Sequence, residues 1–160
     1  MFEIFKKSRT TELKAPISGK IIPIEEVEDE VFSSKMMGEG VAFDFSSGTI
    51  CSPVEGVIEM IPTTLHAIGI KAPNGLEVLI HVGLDTVDLG GEGFTSLVEQ
   101  GQKVKIGTPL LKVNVKDLKE MGVVLTTPMI ITNSSDFNIE KNYVTEVESG
   151  QTLVMKCTKK

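Results

Sequence analysis

The chain has 160 residues, 41% of them hydrophobic, which is enough for one domain with a buried core. Its formal charge of −6 excludes nucleic acid as a partner class, because phosphate binding needs a clustered basic surface. Two cysteines make no disulfide framework or CxxC metal pair, and no apolar run reaches the roughly 18 residues of a membrane helix.

In chain order, "MFEIFKKSRT" is too short and too charged for a signal peptide, so a cytoplasmic location is expected. Residues 1–14 read as a flexible N-terminal segment and residues 15–160 as the domain. Phe2, Ile4 and Phe5 interleave with Lys6 and Lys7, which allows at most a peripheral membrane contact. Strands are then expected at "GKIIPI", "GVAFDF", "GTICSP", "GVIEMIP", "AIGIKA", "LEVLIHV", "PLLKVNV", "GVVLTTPMIIT" and "QTLVMKC". Each is rich in β-branched residues and bounded by Gly, Pro, Asn, Asp or Ser. Between the first two, the acidic run "EEVEDE" (Glu25 to Glu30) reads as a solvated loop. Cys51 reads as a small buried hydrophobe. Asn74-Gly75 predicts a type I′ hairpin turn. Helix signals are few: "GFTSLVEQG", with Thr95 as cap, and "VKDLKEMG", ended by Gly122. With 5% aromatics and no Trp, the core must come from Val, Ile, Leu and Met. The expected fold is all-β, a flattened barrel or sandwich with one or two short helical turns.

"APISGKIIPI" and "SPVEGVIEMI" share a Pro, a β-branched residue, a spacer, Gly and a strand, with Pro16 and Pro53 separated by 37 positions. Two interlocked copies of a small β unit are expected. That rhythm resembles lipoyl and biotinyl carrier domains, and the duplicated hybrid motif of some phosphocarriers and zinc peptidases. The site residues must choose among them.

The chain has two histidines, His66 and His81, one on either side of the Asn74-Gly75 turn. The turn lies near the midpoint of the two histidines, 73.5; residues whose numbers sum to about 147 would then face each other, which sets His66 opposite His81. In "LEVLIHV", Val78, Ile80 and Val82 share one face, and Leu79 and His81 the other. Facing imidazoles disfavour joint protonation and are poor structural glue, so the pair points to a site. It suits either metal binding or a nucleophile with an anion-holding partner. His66, His81 and Asp85 would supply the three ligands that zinc catalysis usually needs, and "HVGLD" has the His-x-x-x-Asp form of zinc endopeptidases. Those enzymes add a His-x-His, for which this chain has no third histidine. A carrier domain needs a hairpin-tip lysine in a Met-Lys setting, and none is found. Phosphoryl transfer asks mainly for positioning and charge stabilisation: one imidazole attacks, the other holds the phosphoryl oxygens, and the Thr64 hydroxyl fixes the tautomer of His66.

From Ala15 to the C-terminus, "APISGKIIPIEEVEDEVFSSKMMGEGVAFDF", "CSPVEGVIEMIPTTLHAIGI", "NGLEVLIHVGLDTVDLGGEGF" and "GQKVKIGTPLL" resemble the glucose-type enzyme IIA proteins of the bacterial phosphoenolpyruvate-dependent sugar phosphotransferase system. The resemblance implies a phosphocarrier between HPr and a cysteine on the IIB domain of a membrane sugar transporter, with no required cofactor. It implies that His81 is phosphorylated on Nε2 and that His66 stabilises the phosphoryl group. Thr64 would bond near His66, the Gly83 carbonyl would meet His81 Nδ1, and Asp85 would lie beside the site and help read basic partners. Phe32, Met36, Met37, Leu79 and Val87 match positions around an apolar docking depression. Some relatives have further regulatory targets, and some share a zinc between the two histidines and a partner's carboxylate; zinc is not expected here. The alternative outside the family is a zinc-dependent hydrolase of the same fold.

Overall fold

The computed structural model describes residues 9–45 and 48–160. Fourteen short strands dominate it. β1 (Thr10–Lys14), β2 (Gly19–Pro23) and β3 (Glu39–Phe45) precede β4 (Thr49–Cys51), β5 (Gly56–Met60), β6 (Ala67–Lys71) and β7 (Glu77–His81). The second half holds β8 (Phe94–Ser96), β9 (Lys103–Val104), β10 (Pro109–Val113), β11 (Thr127–Ile131), β12 (Phe137–Lys141), β13 (Glu146–Val147) and β14 (Leu153–Lys159). Two helices are short, α1 (Glu30–Ser33) and α2 (Val115–Glu120).

The strands form an eight-stranded sheet, β13-β2-β3-β11-β7-β6-β5-β9, and two three-stranded sheets, β1-β14-β12 and β4-β10-β8. The sheets stay open, so the fold is the sandwich form of the expected architecture. The main core is aliphatic as composition required: Leu13, Ile17, Ile50, Ile58, Ile68, Ile70, Ile80, Leu110 and Leu111 are fully or almost fully buried around Phe43. A smaller cluster lies on the other face of the large sheet. There Ile24, Val27 and Phe32 cover Ala42, Ala67, Leu79 and Ile130. The alternation in "LEVLIHV" is therefore real: Val78, Ile80 and Val82 join the main core, while Leu79 joins the outer cluster with His81 on its parity.

The repeat is visible as an approximate two-fold axis. Lys14 N–H donates to Pro53 O at 3.0 Å, and Cys51 N–H donates to Pro16 O at 2.8 Å, a reciprocal exchange 37 positions apart. The large sheet reads the same from both ends: β2 corresponds to β5, β3 to β6, β13 to β9 and β11 to β7. The small sheets are each other's counterparts. Phe94 opens β8 as Phe137 opens β12. That duplication explains why "GFTSLVEQG" is strand β8 rather than a helical turn. Thr95 pairs with Lys112 across the ladder instead of capping a helix. "VKDLKEMG" does form α2; Asn114 caps it, and Gly122 follows its end at φ +79°.

Other expectations need correction. The segment 1–14 is not all flexible tail: Thr10–Lys14 is β1, paired along β14, with Leu13 fully buried. The membrane-contact residues Phe2, Ile4, Phe5, Lys6 and Lys7 lie outside the described residues. Cys51 is only half-buried; Cys157 is the buried thiol, and both are free. "EEVEDE" is not a plain loop, since it holds a 3-10 turn at Ile24–Glu26 and the cap of α1. "GVVLTTPMIIT" is extended only from Thr127. Among the described residues no helix is long and apolar enough to cross a membrane.

Candidate functional site

The hairpin that carries both histidines turns one residue earlier than a type I′ turn would. Pro73 and Asn74 occupy its centre, and Gly75 alone takes a positive φ, +91°. Gly75 N–H donates to Ala72 O at 3.0 Å, and the Asn74 side chain accepts from Leu76 N–H at 3.1 Å. Proline's fixed φ suits the first central position of a type I turn, and this wins over the Asn-Gly signal. Residues summing to 148 pair, so His81 faces Ala67, and His66 lies just before β6.

The two rings still meet. Leu65 sits at φ +55°, left-handed for a residue with a side chain. This kink takes His66 out of strand parity, which would have pointed it to the face of Ile68 and Ile70. The His66 and His81 ring centroids are 5.2 Å apart at an interplanar angle of 75°, an edge-on contact. Thr64 Oγ1 lies 2.6 Å from His66 Nδ1. His81 Nδ1 lies 2.7 Å from Gly83 O. A carbonyl can only accept, so Nδ1 carries the proton and donates, and Nε2 keeps its lone pair. Phe32, held by α1, packs on the other side of His81 with centroids 4.9 Å apart.

Burial works against a charge on either ring. Burial holds His81 below the ordinary imidazole value, against the Gly83 carbonyl and the Asp29 and Asp85 carboxylates, which pull it up. Burial and then the neighbouring His81 ring hold His66 down. An NMR titration should place both midpoints below about 6.5; a midpoint above that would show the carboxylates winning. The same shifts set a sign for stability. The unfolded chain binds these protons first. The pair's contribution is therefore intact above about pH 6.5 and is lost as pH falls through the folded-state values.

The family model for the phosphoenolpyruvate-dependent sugar phosphotransferase system, EIIA 1, matches residues 11–137. A glucose-specific EIIA component of the phosphotransferase system from Oceanobacillus iheyensis is 46% identical over 142 residues, covering 88% of this chain and 86% of that protein. The chain belongs to this EIIA family. The solved glucose permease IIA from Mycoplasma capricolum shares its fold at a TM-score of 0.85 and 38% identity, covering 94% of this chain and 97% of that one. This EIIA is thus a phosphocarrier component of the sugar phosphotransferase system.

Of the residues singled out in its sequence, His66, His81, Thr64 and Gly83 are brought into direct contact. Asp85 is exposed at φ +57° and acts on His81 through charge. It does not complete a metal site: among the described residues no three His, Cys, Asp or Glu side chains gather as ligands. Met36, Met37 and Val87 are exposed, whereas Phe32 and Leu79 are buried at 3% and 8% exposure. Phe32 touches His81, and Leu79 lies at the floor of a groove it shares with Met37, Met60 and Gly69.

Sequence reasoning missed Asp29 in this EIIA. Its carboxylate caps α1, accepting from Val31 N–H at 3.0 Å, and faces His81 electrostatically. The signal was available as an Asp just ahead of "EVF", an ordinary N-cap position. Lys35 and Lys141 bind Glu25 and Glu39 beside it, tying the α1 segment to β3 and β12.

Proposed function

We propose that His81 accepts a phosphoryl group from phospho-HPr on Nε2 and passes it to a cysteine of a transporter's IIB domain. The observation that carries this reading is the Nδ1–H bond from His81 to Gly83 O at 2.7 Å, which leaves Nε2 as the free nucleophile. In uptake the Nε2 lone pair forms a bond to phosphorus as the donor's bond breaks. In delivery the cysteine thiolate attacks phosphorus and the Nε2–P bond breaks. The Nδ1 proton stays in place throughout. Thr64, donating to His66 Nδ1, sets the proton of His66 on Nε2, where it can donate to a phosphoryl oxygen. The two relatives are glucose components, which supports a glucose transporter as the destination.

Incubation with phosphoenolpyruvate, enzyme I and HPr should add one acid-labile phosphate per chain, located on His81 by fragmentation. A chain that stays unmodified, or carries the phosphate elsewhere, would sink the reading. His66→Ala should still load from phospho-HPr but deliver to IIB about 10- to 100-fold more slowly, the loss of one hydrogen bond to a charged group. Normal rates in both half-reactions would remove His66 from the mechanism.

A further inference from the structure

The carbonyl that receives the His81 proton belongs to backbone held from outside its own strand. Both peptide groups that join Val82, Gly83 and Leu84 are fully paired. Val82 O accepts from Thr86 Oγ1 at 2.6 Å, and Gly83 N–H donates to Thr127 Oγ1 at 3.3 Å. Gly83 O accepts from His81, and Leu84 N–H donates to Val124 O at 2.9 Å. Thr127 gives its own hydroxyl hydrogen to Leu125 O at 2.9 Å, so its oxygen meets Gly83 as an acceptor. Thr86 and Thr127 are both fully buried.

Thr127 stands where a ladder ends. β11 pairs with β7 at Ile131–Val78, Ile130–Leu79 and Met129–Ile80. The same register carried on would set Thr127 opposite Val82. Pro128 intervenes and has no N–H to give. The Thr127 side chain then takes over from the backbone and reaches Gly83. A valine would fill the same space, and a buried hydroxyl is costly unless bonded; the two bonds it makes are what the position provides.

We propose that Thr127 is a positioning residue for phosphoryl uptake: by accepting from Gly83 N–H it anchors the Gly83 backbone one peptide group ahead of the carbonyl that keeps the proton on His81 Nδ1. This rests on His81 being the acceptor. Thr127→Val removes the hydroxyl at constant shape, and Thr127→Ser restores it. In the valine variant, imidazole nitrogen NMR should show a mixture of His81 tautomers, and uptake from phospho-HPr should slow about tenfold, as when the partner orienting a reactive imidazole is lost. The His81 titration midpoint should move down, since a bond that favours the protonated ring weakens. The serine variant should recover all three. A folded valine variant with a single Nδ1–H tautomer and unchanged uptake overturns the proposal. Should the valine variant not fold, amide exchange in the unaltered chain decides: a Gly83 N–H exchanging at the unprotected rate overturns it, and strong protection supports it. Failure of the unaltered chain to load His81 would sink the functional reading instead, while tautomer and exchange still report on the clamp.

Discussion

His81→Ala should take up no measurable phosphate from phospho-HPr, a fall of at least about 10⁴-fold, the scale seen when a nucleophile is removed. No neighbour can stand in for it. His66 meets the Thr64 hydroxyl through Nδ1 at 2.6 Å, and with the proton on Nε2 neither nitrogen offers a free lone pair. Cys51 and Cys157 lie elsewhere in the sandwich, and burial pushes the Cys157 thiol up to about 12, far from a reactive thiolate. The fold should survive, because His81 is only half-buried and its ring packs mainly on Phe32 and His66. Intact mass after exposure to the phosphorylating mixture reads the first point, and a urea midpoint near that of the unaltered chain reads the second. A variant that still gains a phosphate would move the nucleophile to another residue.

Gly83→Ala should be nearly as damaging by another route. Gly83 adopts φ +76°, which costs an L residue with a side chain about 1 kcal/mol. An added Cβ would also lie 2.6 Å from Thr86 Cγ2 and 3.0 Å from Val124 O. Relieving such contacts in a packed interior costs about 1–3 kcal/mol. The sum is a destabilisation of about 3 kcal/mol, read as a lower urea midpoint. Relief moves the Thr86 side chain, which bonds Val82 O, or the Gly83 backbone with its carbonyl, so uptake should fall about 10²-fold, the penalty of misplacing a reacting group by about an ångström. Gly75→Ala is the contrast: its Cβ meets nothing within 4 Å, so only the cost of a positive φ remains, and uptake should be normal. Equal behaviour of the two variants would show that crowding at Gly83 is not what matters.

How far the sequence could be read differs between the fold and the site. Period-two alternation exposed the strands with strong faces, such as β7, because burial on one side forces it. It could not expose β8 or β13, of three and two residues, which are too short to show a period. Their existence follows from partners distant in sequence or beyond a loop: β10 pairs with β8, and β2 pairs with β13. The histidines were legible as a pair, yet the inferred register was off by one. An Asn-Gly dipeptide is a strong local signal, but Pro73 ahead of it shifted the turn, and the kink at Leu65 brought His66 back to its partner. Two local departures compensated, and no pattern over neighbours predicts that. Thr86 and Thr127 escaped notice because a buried threonine in a β-branched run looks like any other strand residue until its hydroxyl has an address. Leu79 and Phe32 match positions around the family's docking depression, and both are covered in the fold, as the apolar run "VLIHV" allows for Leu79. Asp29 was lost to the assumption that an acidic run is solvated.

The near-symmetry of the large sheet has a consequence for capacity. The axis passes through the Ile80–Met129 pair at the centre of the sheet, and the operation that exchanges β7 with β11 carries His81 onto Ile130. The duplicated architecture therefore places two corresponding positions on one surface. In this chain one holds an imidazole, and the other is filled by a fully buried isoleucine beneath the α1 segment. On the proposed reading each molecule carries a single phosphoryl group, on one half only of the two related by the rotation. Loading is then all-or-none per molecule, so the state of the pool is a simple count of loaded and empty chains.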